Sequence, residues 1–409
     1  MLRPRSVLHL ALIAARPRNF ADFRIGCGFV KFLARYIMTG ESNMTEYKQD
    51  RIMLLVTENC NLNCSYCYEH RKNPKNMPYE TAISIIDAHL KDAASDKPVI
   101  IEVFGGEAFA NFDLIRKIDA YVERTYGDLN VYYETTTNGT LVHGDIQEWL
   151  TQRKEKFLIS VSVDGTRDMH NQNRVFVSGK GSFDSIDLDF FAKTWPGCPA
   201  KMTVSEQTLP NMTAGIMYLE SLGFKCDATL SVGMEWDYEK NQAILIGELN
   251  KLIEYYTANP EQQLCTMLNL DLREIFAPFD ENFRFCGAGV AMACYDADGK
   301  RYPCQGFAPV SIGEAAKTYV DFNPDKFLLA DDNMCKRCLA VRLCPNCYAA
   351  NLQSDGNIQS VNPNLCSLYK LCILASAKIQ YQRIAKKQTY THDDQLTLKA
   401  VGMIQDWLQ

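Results

Sequence analysis

Three cysteines fall within eight residues, at Cys60, Cys64 and Cys67, and nine more lie between Cys286 and Cys372. Only Cys27, Cys198, Cys226 and Cys265 of the sixteen lie elsewhere. Disulfide frameworks belong mostly to small secreted domains, and a chain of 409 residues is not one. Thiols packed this tightly in a long chain favour metal ligation. The composition agrees with a folded protein of two to three domains, since 47% of residues are hydrophobic. A formal net charge of -6 leaves no electrostatic footprint for nucleic acid. No apolar run reaches the length needed to span a membrane.

Residues 1–43 hold seven basic residues (Arg3, Arg5, Arg16, Arg18, Arg24, Lys31, Arg35) and few acids. Residues 6–15 have a weak secretory character, and the whole stretch faintly resembles a transit peptide. His9 interrupts the apolar run, and the downstream thiols suit a reducing compartment. The expectation is an N-terminal extension outside the fold, a natural start at Met44 and a cytoplasmic protein.

From Arg51 apolar strands alternate with helical patterns. Strands are expected over 51–57, 99–104, 130–137, 157–163, 200–205 and 227–232. Helices are expected over 78–93, 112–126, 145–153, 182–193, 211–222 and 238–259. Six β–α units in series argue for an α/β fold with a parallel sheet and helices outside. An open partial (β/α) barrel and a doubly wound sheet both fit this rhythm. The expected divisions are a barrel-like region over 44–259, a linker over 260–285, and a small metal-held domain over 286–387. A last helix is expected over 365–386, and a C-terminal tail over 388–409.

Four motifs each follow an expected strand directly. They are the run from Thr57 to Cys60, Gly105-Gly106-Glu107, Thr137-Asn138-Gly139, and Asp164-Gly165. In parallel α/β folds that rim is where active sites gather. Four such motifs in four consecutive units point to one site. Three thiolates holding a four-iron cluster would leave one iron open, which chemistry needs and a structural site avoids. Zinc is the alternative for these thiols.

The spacing CxxxCxxC, with Tyr66 just before the third cysteine, resembles the signature of radical S-adenosylmethionine (radical SAM) enzymes. Tyr68 and Glu69 continue it in the style of the branch that carries a C-terminal SPASM domain. The resemblance implies a partial (β/α)6 barrel followed by a small cysteine-rich iron–sulfur domain. It implies that Cys60, Cys64 and Cys67 hold a catalytic [4Fe–4S] cluster whose open iron is chelated by S-adenosylmethionine. Tyr66 would lie beside the adenine, and Gly105, Gly106 and Glu107 would meet the methionine amine. Thr137, Asn138, Ser162 and Asp164 would line the cofactor, and Arg174 would pair with the methionine carboxylate. Where the family often has proline after the glutamate, this chain has Ala108.

The later cysteines include Cys335-Lys-Arg-Cys338 and Cys344-Pro-Asn-Cys347, which on spacing alone also suit a zinc ribbon. The wider order resembles a SPASM domain, although one family loop is a residue longer than Pro345-Asn346. By that resemblance Cys286, Cys304 and Cys347 hold one auxiliary [4Fe–4S] cluster, and Cys335, Cys338, Cys344 and Cys366 another. Cys294 is either a further ligand of the first or a buried strand thiol, and the burial of free cysteines favours the latter.

The implied reaction is one-electron reduction of the catalytic cluster by an external flavodoxin- or ferredoxin-type donor. Homolysis of S-adenosylmethionine to a 5′-deoxyadenosyl radical and hydrogen abstraction from substrate follow. SPASM relatives mostly act on peptides or proteins, so the expected partner is a peptide, with no nucleic acid and no membrane. The expected function is a maturase of ribosomal peptides that forms a thioether from cysteine. The stretch between Met44 and the first strand is too short for a fused peptide-recognition domain. An anaerobic sulfatase-maturing enzyme is the alternative, and a non-catalytic iron–sulfur carrier is the alternative of another class. Sulfatase maturases carry a proposed aspartate base where this chain has Gln305, after Cys304. An amide cannot accept a proton near neutral pH. Asp296 and Asp298 are expected to serve turn geometry.

Overall fold

A computed structural model describes residues 51–93, 98–278, 283–323 and 329–408. The N-terminal extension expected over 1–43, with Cys27, lies outside these residues. No helix among the described residues is long and apolar enough to cross a membrane.

The chain opens with β1 (Arg51–Thr57) and α1 (Tyr79–Leu90). Then come β2 (Val99–Gly105) and α2 (Phe112–Tyr126), followed by β3 (Val131–Thr137) and α3 (Asp145–Arg153). Next are β4 (Phe157–Ser162), with α4 (Arg167–Asn173) and α5 (Leu188–Thr194) after it, and β5 (Pro199–Val204) with α6 (Met212–Ser221). β6 (Lys225–Leu230) and α7 (Tyr238–Ala258) close the series. The six strands lie in strict sequence order and pair in parallel. A doubly wound sheet reverses its order at a switch point. Unbroken order is how a barrel winds, and with a free edge at β6 it is a partial (β/α) barrel.

On its other side β1 pairs in parallel with β7 (Ala293–Tyr295), which pairs antiparallel with β8 (Arg301–Tyr302). The cysteine-rich region therefore adds two strands to the barrel sheet. The period-2 geometry of β1 explains how. Ile52, Leu54 and Val56 pack among the helices, whereas Met53 and Leu55 pack against Cys294, Tyr302, Phe307 and Val310. Burial on both faces gives the uninterrupted apolar run of this strand.

Two expected boundaries come out differently. In the segment expected as a linker, Leu264, Cys265, Leu268 and Leu272 are buried. Leu264, Cys265 and Leu268 join the barrel's core, and Leu272 joins a second cluster with Ile373 and Ile404. The expected tail instead forms a helix. In order, the remaining helices are α8 (Pro309–Ile312), α9 (Tyr348–Asp355), α10 (Pro363–Ala385) and α11 (His392–Trp407). The last is started by a capping box between Thr391 and Asp394, and it buries Thr397, Ala400, Val401 and Ile404.

Candidate functional site

The loop after β1 carries the first three cysteines, and two neighbouring segments hold it. One is the stretch after α4. Leu62 and Phe176 form an antiparallel bridge, Asn63 N donates to Val175 O at 2.8 Å, and Ser65 N donates to Asn173 O at 2.9 Å. This pairing brings Arg174 beside the cysteines. The other is the end of β3, where Asn138 Nδ2 donates to Asn61 Oδ1 at 2.9 Å and Asn61 Nδ2 donates to Thr140 Oγ1 at 2.8 Å. Gly139 turns with φ +77°, a conformation that favours glycine.

Gly105 and Gly106 serve this same loop. A side chain at Gly106 would lie 2.6 Å from Asn59 O and 2.8 Å from Cys60 Cβ. The two glycines thus let β2 approach the cysteine loop closely. Backbone bonds from Gly106 N to Thr57 O (3.2 Å) and from Glu107 N to Asn59 O (2.9 Å) fix the contact.

Glu107 is buried at 1% exposure and gathers three donors. Thr137 Oγ1 and Asn138 N each donate to it at 2.7 Å, and Phe109 N at 3.2 Å. Burial pushes its carboxyl above the usual range, and these bonds oppose the push. A carboxylate offers about four lone-pair sites, so roughly one remains for a ligand cation. Glu107→Ala is expected to weaken S-adenosylmethionine binding measurably in calorimetry while iron content stays unchanged. Equal affinity in wild type and variant would make Glu107 a purely structural rim residue.

Tyr66, Asp164 and Arg174 form one group. The Tyr66 hydroxyl donates to Asp164, and the Arg174 guanidinium stands 5.3 Å from the Tyr66 ring centroid. Arg174 Nε lies 3.2 Å from Asp164 Oδ1, without the alignment of a hydrogen bond. Thr203 N also donates to Asp164. Behind them His170 is buried, accepting from Asp164 N at 3.4 Å through Nδ1 and meeting Ser182 Oγ through Nε2 at 2.9 Å. Ser182 Oγ in turn donates to Arg174 O. Burial, with the Arg174 charge beside it, holds His170 neutral by lowering it to about 3. Ser162 is buried at the end of β4.

The thiols suit an anionic cluster. Leu62 N donates to Cys60 Sγ at 3.4 Å, and Asn138 Nδ2 reaches the same sulfur at 4.0 Å. Burial pushes Cys60 up to about 12, while Lys72 and the Leu62 N–H pull the other way. Thiolates at such a site require a metal's charge. Lys72, which sequence reasoning passed over, donates from Nζ to Leu62 O at 3.0 Å, between Cys60 and Cys64 in the chain. Among the described residues no three His, Cys, Asp or Glu side chains converge on a point fit for one metal ion. Ligands of a cluster bind different irons and spread wider than those of a single zinc.

The later cysteines fall into two neighbourhoods. Cys347 and Cys286 act on Cys304, and Cys286 also acts on Cys347. Separately, Cys366, Cys338 and Cys335 act on Cys344, and Cys338 and Cys366 act on Cys335. Cys294 is fully buried on β7 and feels Cys304. Gln305 reaches back to the first loop, where its Nε2 donates to Tyr68 Oη at 3.3 Å. Its Oε1 is buried without a hydrogen-bond partner. Beside it in the first loop, burial pushes Glu69 up to about 7, and its Oε1 likewise lacks a partner. Asp296 is occupied by its turn, accepting from Asp298 N, Lys300 N and the Tyr302 hydroxyl.

Comparison with known proteins places these features. An uncharacterized protein of Methanocaldococcus jannaschii is 33% identical over 208 residues, 49% of this chain and 69% of that protein. The radical SAM cyclopropyl synthase TigE of Paramaledivibacter caminithermalis is 23% identical over 79% of this chain and 72% of its own. Native anSMEcpe with bound AdoMet superposes with a TM-score of 0.63 at 20% identity, covering 79% of this chain and 95% of that one. Streptococcus suis SuiB bound to precursor peptide SuiA gives 0.54 at 13% identity, over 88% and 85%. The radical SAM superfamily matches residues 54–186, from β1 to the Arg174 segment and beyond. The chain belongs to the radical SAM superfamily and is an enzyme, of a kind that works with a [4Fe–4S] cluster and S-adenosylmethionine.

Proposed function

We propose that the chain is a radical SAM maturase that abstracts hydrogen from a peptide and forms a thioether from a peptide cysteine. The observation that carries this reading is the bond between Gln305 and Tyr68. Tyr68 follows Cys67 and Gln305 follows Cys304, so the two cysteine groups face one another across one hydrogen bond. A peptide thiol held at the Cys286, Cys304 and Cys347 group would lie next to the S-adenosylmethionine rim. The solved structures of SuiB with a precursor peptide and of anSMEcpe with AdoMet and the Cp18Cys peptide support a peptide as substrate.

In this reading Cys60, Cys64 and Cys67 hold the catalytic cluster, which with S-adenosylmethionine supplies the radical. Glu107 binds the ligand's ammonium by charge-assisted hydrogen bonding. Arg174, turned by Asp164 and the neutral His170, presents its remaining donors to the ligand's carboxylate, while Tyr66 flanks the adenine. Thr137, Asn138 and Ser162 complete the rim. Cys286, Cys304 and Cys347 hold one auxiliary cluster, and Cys335, Cys338, Cys344 and Cys366 the other. An external one-electron donor completes the cycle.

A sulfatase-maturing activity is the second reading, because the cysteine-type anaerobic sulfatase-maturating enzyme of Clostridium novyi is 27% identical over 139 residues. That stretch is 36% of its length, and the neutral Gln305 counts against it. The test of the peptide reading is isotope transfer. With a deuterated cognate peptide, 5′-deoxyadenosine is expected to acquire deuterium. Product that stays unlabelled at every substrate position would remove the peptide from the reaction.

A further inference from the structure

Lys72 lies five residues beyond the third cysteine, and the chain around it is pinned on both sides. Arg71 N donates to Val310 O at 3.0 Å, and Arg71 Nη1 to Ser311 O at 2.8 Å. The Asn73 amide donates to the buried Glu58 carboxylate. These anchors turn Lys72 inward, where Nζ donates to Leu62 O at 3.0 Å. Leu62 lies between Cys60 and Cys64, so the ammonium sits over the middle of the cysteine loop. Its acceptor is a neutral carbonyl, so the bond leaves the positive charge uncompensated.

From the Nζ–Leu62 geometry we infer that Lys72 is a fixed cation that raises the reduction potential of the cluster at Cys60, Cys64 and Cys67. The inference rests on the reading that these thiols hold the catalytic cluster. Reduction adds one negative charge to a site already rich in thiolate. A cation held at this loop favours the more negative state. Net charge and hydrogen bonds to the sulfurs are among the determinants of iron–sulfur potentials. Lys72 is here a positioning and tuning residue, because its effect on the reaction is exerted through the cluster.

The test is a redox titration of the anaerobically reconstituted full-length protein, followed by electron paramagnetic resonance. The catalytic cluster is identified as the signal that changes when S-adenosylmethionine is added. Potentials are then compared without it. Lys72→Gln keeps an N–H donor for Leu62 O and loses the charge, whereas Lys72→Arg keeps both. In Lys72→Gln the ratio of reduced to oxidised catalytic cluster at a set potential is expected to fall about tenfold, a downward shift of about 59 mV for one electron. Lys72→Arg is expected to stay with wild type, and the other signals to be unmoved. An unchanged potential in a fully loaded Lys72→Gln protein would overturn the inference. Should Lys72→Gln and Lys72→Met both fail to take up the cluster while Lys72→Arg loads, Lys72 is a structural requirement and tuning is again overturned. A wild-type protein with no signal responsive to S-adenosylmethionine would instead contradict the cluster assignment itself.

Discussion

A sulfatase-type peptide incubated with the reduced enzyme and S-adenosylmethionine is expected to yield no formylglycine. The cognate cysteine peptide is expected to become lighter by two hydrogens, with that cysteine closed to alkylation. The reason lies at one position. Making an aldehyde from a seryl or cysteinyl radical needs a base for the departing proton. Gln305 occupies the position of the proposed base, and an amide cannot take a proton near neutral pH. The acids of the adjoining turn are engaged elsewhere, since Asp296 accepts two backbone N–H groups and a tyrosine hydroxyl and Asp298 pairs with Lys75. Thioether formation needs the substrate thiol to lose its proton to solvent, which ligation to a metal would favour, and one electron to leave as the carbon radical closes on sulfur, which an auxiliary cluster at Cys286, Cys304 and Cys347 would accept. Mass spectrometry before and after iodoacetamide decides between them. Formylglycine in the sulfatase peptide would reverse the ranking of the two readings. A cognate product with a freely alkylated cysteine would remove the thioether and leave the radical chemistry standing.

Anaerobic reconstitution is expected to give about eight to twelve irons per chain, from a catalytic cluster and one or two auxiliary ones. Replacing Cys60, Cys64 and Cys67 together with Ala is expected to remove about four of them. Replacing Cys335, Cys338, Cys344 and Cys366 together is expected to remove a separate share of similar size. The two losses should be additive, because these cysteines stand in different neighbourhoods, one on the barrel rim and one beside α10. Stoichiometric zinc in the protein as isolated, with no iron chromophore after reconstitution, would contradict both expectations.

Much of the barrel was legible in the chain. The helices at Phe112–Tyr126 and Asp145–Arg153 fall where their apolar spacing put them, and the strands deviate by a residue or two. What periodicity left open was the winding of the sheet, because strand order depends on contacts between units. The helix Arg167–Asn173 was missed for a local reason. It is seven residues long and nearly all polar, and it buries His170 and Asn173 through hydrogen bonds that an apolar pattern cannot show. The final helix was legible in principle. Thr391 and Asp394 are a capping box, and Ala400 and Ile404 recur at helical spacing on the buried face.

At the site the motifs were readable and their supports were not. Gly105 and Gly106 stood out as a pair, but the surface they fit is the cysteine loop some 45 residues earlier. Lys72 belongs to no motif, and it is bonds on either side, at Arg71 and Asn73, that accompany its reach to Leu62 O in the cysteine loop. The Tyr68–Gln305 bond joins residues 237 positions apart, through a domain that shares its core with β1. The apparent linker was misjudged because its buried residues, Leu264, Cys265 and Leu268, are too few and too irregularly spaced to show a period.

The most direct test is cleavage of S-adenosylmethionine itself. The iron-loaded protein, reduced with dithionite under anaerobic conditions, is mixed with S-adenosylmethionine, and 5′-deoxyadenosine and methionine are quantified by liquid chromatography and mass spectrometry. Equal amounts of the two products are expected to accumulate with time in wild type. None is expected in the protein lacking Cys60, Cys64 and Cys67. An iron-loaded, reducible wild-type protein that forms no 5′-deoxyadenosine with or without peptide, or a triple variant that forms it undiminished, would contradict the account.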